Sequence, residues 1–230
     1  MTPDRFKCLI ESLNRRQTDL SLLMDDVHKP RNFAAILRSC DAVGMLDAHA
    51  ITPRGVGFRR PKAAAGALRW LRIHRHKTFS EASQLLRDKG MNLVAAHPDS
   101  GSVDFRDYDY TQPTALVMGS ELRGLSKEAL DNVDTCIRIP MMGMVASLNV
   151  ATSASLILYE AQRQREQAGL YNTCQLPADE YQQLLFEYAW PKIARRYRQL
   201  GWDYPEVNLE TGDVDWSKDS YFQNVSVNQT

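Results

Sequence analysis

The sequence predicts an α/β fold, in which a mostly parallel sheet is covered by helices on both faces. Between residues 20 and 160, short apolar runs alternate with segments in which apolar residues follow helical spacing. Such alternation is typical of strand–helix units, whose strands are buried on both sides and therefore lack a polar face. With 43% hydrophobic and 24% charged residues, the 230-residue chain has ordinary globular composition and can bury a core.

We expect three regions along the chain: an N-terminal helical extension (residues 1–17), a central α/β domain (18–168), and a C-terminal helical extension with an acidic tail (169–230). Thr2, Pro3 and Asp4 form a typical helix start, with a cap, an early proline and an acid. Residues 179–200 form a last helix, which Pro191 should kink or split.

The central domain is built from apolar runs that read as strands and from periodic segments that read as helices. The predicted strands are residues 20–27, 49–52, 70–74, 92–96, 114–118 and 136–139. In the helix after the first strand, Asn32 is placed to cap and Gly44 to terminate. Further helices are expected at residues 79–88, between Ser126 and Asn132, and from Ser147 onward.

The charge distribution favours a polyanionic partner. Residues 200–230 carry six acids against Lys218, a net charge of −5, so the rest of this neutral chain carries +5. Residues 54–77 contain eight Lys or Arg, two His and no acid, as an RNA-contacting segment would. No signal peptide or membrane span is evident, which indicates a cytoplasmic protein, and four scattered cysteines indicate neither a disulfide framework nor a zinc site.

Three polar islands follow predicted strands. They are Asn32 with Arg38 in NFAAILRSCDAVG (residues 32–44), the loop MGSELRGLS (118–126), and the loop IPMMGMVASLN (139–149). In parallel sheets ligands bind at the carboxyl ends of strands, so a site is expected where these islands meet. On the residues alone, Asn32, Ser147 and Asn149 could equally be helix caps and Arg38 a solvated surface arginine.

Together the three islands resemble the three motifs of the SPOUT superfamily, in particular its SpoU branch of RNA ribose 2′-O-methyltransferases. The resemblance covers about residues 18–165. It implies a SPOUT-type sheet with a C-terminal trefoil knot, S-adenosylmethionine as cofactor, and a homodimer whose interface helps to form each active site. The length and the two helical extensions resemble the branch members that methylate guanosine 18 of the tRNA D-loop; an rRNA methyltransferase and a catalytically inactive RNA-binding protein are the alternatives.

The resemblance also assigns residues to roles. The expected catalytic residues are Arg38, Asn32, Glu121, Ser147 and Asn149, and the expected cofactor-binding residues are Ala96, Gly119, Ile139 and Leu148. Family proposals make the arginine that matches Arg38 the base. A free guanidinium keeps its proton to about pH 12, so we expect Arg38 mainly to bind an RNA phosphate and to stabilise the developing alkoxide, in its own subunit or across the dimer.

RNA contact is expected from cations on several segments. The residues predicted for it are Arg5, Arg16, Arg59, Arg60, Arg163 and Arg165. His74 and His76 lie two apart and could suggest a metal site, but without further ligands nearby a basic RNA-contacting edge is the preferred interpretation. Aromatic residues of the last helix could stack on bases, although core packing is the more ordinary use.

Overall fold

The structure is a computed structural model that describes residues 1–51, 69–99 and 101–216. The chain divides into two compact units: residues 16–173, and residues 1–15 together with the chain from residue 174 onward. The three-region boundaries expected from the sequence stay a prediction. Arg59 and Arg60 lie outside the described residues. None of the helices in the described part of the chain combines the length and apolar character needed to cross a bilayer.

The larger unit contains a seven-stranded sheet with strand order β3-β2-β1-β6-β4-β7-β5. The strands are β1 (Leu20–Asp25), β2 (Asp47–Ile51), β3 (Arg72–His76), β4 (Asn92–Ala96), β5 (Val103–Asp104), β6 (Thr114–Met118) and β7 (Thr135–Arg138). The helices among the described residues of both units are α1 (Pro3–Asn14), α2 (Pro30–Ala42), α3 (Phe79–Asp88), α4 (Lys127–Asn132), α5 (Val150–Gln167), α6 (Ala178–Ala189) and α7 (Pro191–Leu200). Neighbouring strands pair in parallel, which confirms the predicted sheet.

Helices cover both faces of this sheet, as predicted. Side chains alternate between the faces along β1, where Leu22 joins a core cluster with α2 and α5 and Leu23 joins one with α3 and α4. All six residues of β1 are buried, and the strand pairs with β2 on one side and β6 on the other. β1 is therefore an interior strand that is paired along both of its edges.

Two helix starts differ from the prediction. Helix α2 begins at Pro30 with Lys29 at its N-cap, so Asn32 lies inside the first turn and does not cap the helix. Proline is favoured at the first helical position, and this preference sets the start three residues earlier than an Asn32 cap would. Helix α5 begins at Val150 and not at Ser147, because the Asn149 side chain caps it by accepting the N–H of Ala151 at 2.9 Å.

Other boundaries follow the sequence closely. The predicted limits of α3, β4 and β6 are those observed, and Gly44 ends the α2 segment with a positive φ of 77°. Ser126 caps α4 by accepting the N–H of Ala129. The two-residue β5 was not predicted, since so short a pairing leaves no periodic pattern in the sequence.

The terminal unit is helical. The predicted last helix is split at Pro191 into α6 and α7, and Thr2 caps α1 as expected. Its aromatic side chains pack against one another: the Phe186 ring lies 4.9 Å from Tyr204 and 5.6 Å from Tyr197, measured between ring centroids. Tyr197 and Tyr204 are therefore used for core packing, which the sequence analysis favoured over stacking on bases.

Two arginines predicted to contact RNA are buried in the larger unit, so that prediction is wrong for both. Arg16 is 2% exposed and donates to the Asp41 carboxylate at 2.9 Å. Arg165 is fully buried and donates to Gln17 at 2.8 Å and to the Asp19 carboxylate. Charged side chains are rarely buried unless they are paired. Both guanidinium groups are therefore structural residues, which hydrogen-bond to partners inside the larger unit.

A stack of histidines lies along β2 and β3. The ring of His49 is stacked between His74 and His76, with centroid distances of 4.7 and 5.2 Å, and its Nδ1 lies 2.9 Å from Nε2 of His76. His74 lies 2.7 Å from the buried Asp47 carboxylate. His49 and His76 are buried, so the predicted RNA-contacting edge is wrong for His76. Among the described residues, no group of three or more His, Cys, Asp or Glu is arranged to hold a metal ion.

We expect this stack to make stability depend on pH. Burial, and then the charges of His74 and His76, lower the pKa of His49 to about 3, and burial also lowers the pKa of His76. An unfolded histidine titrates near pH 6.5, so between about pH 6.5 and 3 the unfolded chain binds protons that the folded chain does not. Stability is therefore fully present above pH 6.5 and falls as the pH drops, by about 1.4 kcal/mol per pH unit for His49 alone.

Urea unfolding at pH 7 and pH 5 measures this dependence. The variant His49→Gln should show a shallower loss of stability between the two pH values than the wild type. The matched control His28→Gln, which removes an exposed histidine, should keep the wild-type slope. Equal slopes for wild type and His49→Gln would contradict the assignment.

Candidate functional site

A pocket of about 410 Å³ lies where β4, β6 and β7 end. The four predicted cofactor-binding residues line it: Ala96, Gly119, Ile139 and Leu148. The predicted catalytic residues Glu121, Ser147 and Asn149 line it as well. The carboxyl ends of parallel strands meet at one edge of a sheet, which explains why segments far apart in sequence converge here.

The side chain of Asn32 joins the three polar islands. Its Nδ2 donates to Oε1 of Glu121, and its Oδ1 accepts from Nδ2 of Asn149 at 3.2 Å. The side-chain oxygen of Asn149 caps α5. The Asn149 amide is therefore held at its nitrogen by Asn32 and at its oxygen by the start of the helix. One residue from each island therefore belongs to a single hydrogen-bonded chain at the pocket.

Glu121 uses its two carboxylate oxygens differently. Its Oε1 accepts from Nδ2 of Asn32. Its Oε2 is buried and makes no hydrogen bond within the described part of the chain. Glu121 thus orients Asn32 with one oxygen and keeps one acceptor uncommitted at the pocket wall.

The loop after β6 turns back tightly on itself. Ser120 and Gly124 exchange backbone hydrogen bonds of 2.8 and 3.0 Å. A Cβ atom on Gly119 would lie 2.3 Å from the carbonyl carbon of Gly124 and 2.4 Å from the N of Leu125, which only glycine avoids. At Gly143, by contrast, an added Cβ would meet nothing within 4 Å.

Arg38 is not brought to this pocket. It lies on α2 six residues after Asn32, which at 3.6 residues per turn places it about 120° around the helix and about 9 Å along it. Its side chain is exposed, and it makes no polar contact with any residue that the structure describes. The structure therefore leaves this guanidinium available to a group outside the described chain.

Three cationic or titratable side chains at the pocket were not predicted. Lys29, His97 and Arg138 line the pocket beside the expected residues. His97 directly follows β4, Arg138 is the last residue of β7, and Lys29 lies in the loop after β1. Attention to every polar residue at a strand end, beyond the three motif segments, would have found them.

A larger cavity, about 780 Å³, lies in the terminal unit. Its lining includes the aromatic rings of Tyr197, Trp202 and Tyr204 and the acidic side chains of Asp203 and Glu206. It contains none of the residues predicted for catalysis or cofactor binding. The smaller pocket is the candidate site because the motif residues converge there.

The sequence matches the model of the SpoU rRNA Methylase family over residues 19–159, and the model described as "SpoU, rRNA methylase, C-terminal" over residues 163–216. This chain belongs to the SpoU methylase family. It is 44% identical to an Escherichia coli (strain K12) protein named tRNA (guanosine(18)-2′-O)-methyltransferase, over 94% of this chain and 96% of that protein.

Solved structures of SpoU methylases resemble the fold. The crystal structure of the Aquifex aeolicus TrmH/SpoU tRNA modifying enzyme superposes with a TM-score of 0.75 at 38% identity, over 83% of this chain and 97% of that one. The SpoU methyltransferase AviRb from Streptomyces viridochromogenes, solved in complex with AdoMet, gives a TM-score of 0.59 at 33% identity, over 67% and 62% of the two chains.

We expect Gly119→Ala to destabilise this SpoU methylase by about 1–3 kcal/mol, because the new methyl group overlaps backbone atoms that have no room to move aside. Urea unfolding measures the loss, and hydrogen exchange of residues 119–125 should show faster opening. The matched control is Gly101→Ala, where the added carbon meets nothing within 4 Å. Equal stability of the two variants would show that the tight return of the loop is not required.

Proposed function

We propose that this SpoU methylase transfers a methyl group from S-adenosylmethionine to the ribose 2′-hydroxyl of guanosine 18 in tRNA. The observation that carries the substrate assignment is the 44% identity to the Escherichia coli enzyme of that name, which extends over nearly the full length of both chains. The hydrogen-bonded chain of Asn32, Glu121 and Asn149 at the pocket supplies polar groups for such a reaction. A tRNA substrate also fits the predicted cytoplasmic location.

The pocket suits a nucleoside-containing cofactor. Its volume of about 410 Å³ falls within the range of about 300–1,000 Å³ that is usual for small-molecule sites. Ile139 and Leu148 offer half-buried apolar surface for an adenine ring, and the backbone around Gly119 approaches closely because no side chain intervenes. When bound there, S-adenosylmethionine supplies an electrophilic methyl group.

The polar residues then have distinct tasks. Asn32 and Asn149 orient the substrate, Glu121 holds Asn32, and Ser147, whose side chain is exposed at the pocket, contacts the ribose. Holding the acceptor oxygen in line with the methyl group provides a large part of the catalysis, up to roughly 7–11 kcal/mol in well-oriented systems. Arg38 binds an RNA phosphate and stabilises the negative charge that develops on the 2′-oxygen as the hydroxyl proton is lost to solvent.

RNA binding falls to the cations that remain exposed. Arg5 on α1 and Arg163 on α5 are exposed, although Arg163 also donates to Glu160 at 2.6 Å. Helix α7 adds exposed Arg195 and Arg196. Arg59 and Arg60 stay predictions. Contacts of this kind bind phosphates, so they should fix the position of the RNA and weaken as salt increases.

We also propose that the chain works as a homodimer. Large apolar side chains are exposed beside the pocket and on α5: Leu122, Met142, Met144, Val145, Leu156 and Tyr159. Exposed apolar groups this numerous mark an interaction surface. A second copy on this surface would also explain why Arg38 is directed away from Asn32, since it could reach the pocket of the partner. The trefoil knot stays a prediction.

The substrate assignment predicts methylation of unmodified tRNA at a single ribose. Incubation with labelled S-adenosylmethionine and either tRNA or rRNA, followed by mapping of 2′-O-methyl marks, should label guanosine 18 of tRNA. Asn32→Ala should lower the rate by about 10² or more, because the chain that orients the reacting groups is broken. Label in rRNA alone would overturn the tRNA assignment, and no label in either would favour an RNA-binding protein without turnover.

The dimer proposal predicts that two inactive variants complement each other. In a heterodimer of Arg38→Ala and Asn149→Ala subunits, isolated with two different tags, action across the interface leaves one site with both wild-type residues. About half of the wild-type activity should return, because a twofold dimer has two equivalent sites. If Arg38 served its own subunit, each site would carry one substitution and activity would stay at the level of the homodimers.

A further inference from the structure

The 119–125 loop forms one wall of the pocket. Gly119, Ser120, Glu121, Gly124 and Leu125 all line it. The loop leaves the sheet at the end of β6 and is closed by the Ser120–Gly124 backbone pair. Because Glu121 is held to Asn32, a displacement of this loop moves both the cofactor wall and the polar chain.

The far end of this loop is tied to a neighbouring strand by Asp25. Oδ2 of Asp25 accepts the backbone N–H of Ser126 at 2.7 Å, across 101 residues of sequence. Asp25 is the last residue of β1, which pairs directly with β6, the strand from which the loop departs. Asp25 is only 4% exposed, so its carboxylate is placed by the sheet and not by solvent.

The residue after Asp25 has an unusual backbone conformation. Asp26 has a positive φ of 58°, the only non-glycine residue with a positive φ in the described part of the chain. A left-handed residue here turns the chain sharply from β1 toward α2, immediately after the residue that holds Ser126. The loop is thus anchored at a rigid strand end directly before the turn.

We propose that Asp25 is a positioning residue for cofactor binding, which holds the return of the 119–125 loop against Gly119 and so shapes the pocket. The inference rests on the proposed function. The loop has little room to shift at this point, because backbone atoms of Gly124 and Leu125 already occupy the space that a Cβ of Gly119 would need. A carboxylate that accepts a backbone N–H makes a strong hydrogen bond, and its loss leaves a donor without its partner at the point where the loop rejoins α4.

The test compares S-adenosylmethionine binding by isothermal titration calorimetry with thermal unfolding. Asp25→Ala should raise the dissociation constant for the cofactor about tenfold, as expected for loss of one such hydrogen bond. Asp25→Asn keeps an acceptor oxygen and should stay within about threefold of wild type. KM for the cofactor should rise in parallel, with a smaller change in kcat.

The matched control is Ser21→Ala, which removes a buried hydrogen bond at the other end of β1, from Ser21 to the Asp47 carbonyl. It should lower the unfolding temperature while leaving cofactor binding unchanged. If Ser21→Ala weakens binding as much as Asp25→Ala does, or if Asp25→Ala binds like wild type, the proposal is overturned.

A second pair of variants tests the same bond from the donor side, should Asp25→Ala fail to fold. Ser126 has φ −64°, which proline also adopts, so Ser126→Pro removes the N–H with little strain at that residue. Ser126→Ala keeps the N–H and loses only the cap, and it serves as the reference. Weaker cofactor binding in Ser126→Pro than in Ser126→Ala supports the proposal, and equal binding contradicts it. A wild-type protein that binds no cofactor would instead refute the proposed function.

Discussion

The site depends on one amide group. Asn32 donates to Glu121, 89 residues later, and accepts from Asn149, 117 residues later. Only a side chain with both a donor and an acceptor can do this, because a carboxylate in its place would repel Glu121 and an apolar group would leave both partners unsatisfied. The three polar segments therefore form one unit, in which a change at any member disturbs the other two.

Much of the fold could be predicted because local rules and tertiary structure agree. The limits of α3, β4 and β6 follow from apolar runs with clear caps and turns on either side. The start of α2 was missed where two local preferences competed, and proline at the first helical position prevailed over an asparagine cap. Asn32 was thereby freed from the backbone and became available to Glu121.

The roles of the cations could be predicted much less well. In the sequence Arg163 and Arg165 differ only by position, yet one is exposed and the other is fully buried against Asp19. Burial of a charge depends on a partner that tertiary structure supplies, here from the segment before β1. Candidate pocket residues were easier to place, because the rule that ligands bind at strand ends needs only the order of the elements.

The position of β1 inside the sheet, between β2 and β6, bears on how the protein folds. Its neighbour β6 begins at Thr114, so the pairing of these strands has to wait until about ninety further residues are available to the chain. Sheets that rely on such distant pairings fold slowly, because the entropy of closing long loops is lost before the contacts form. During synthesis on the ribosome, the backbone N–H and C=O groups on the β1 edge that pairs with β6 stay unpaired for that interval, and unpaired strand edges make a nascent chain prone to aggregation.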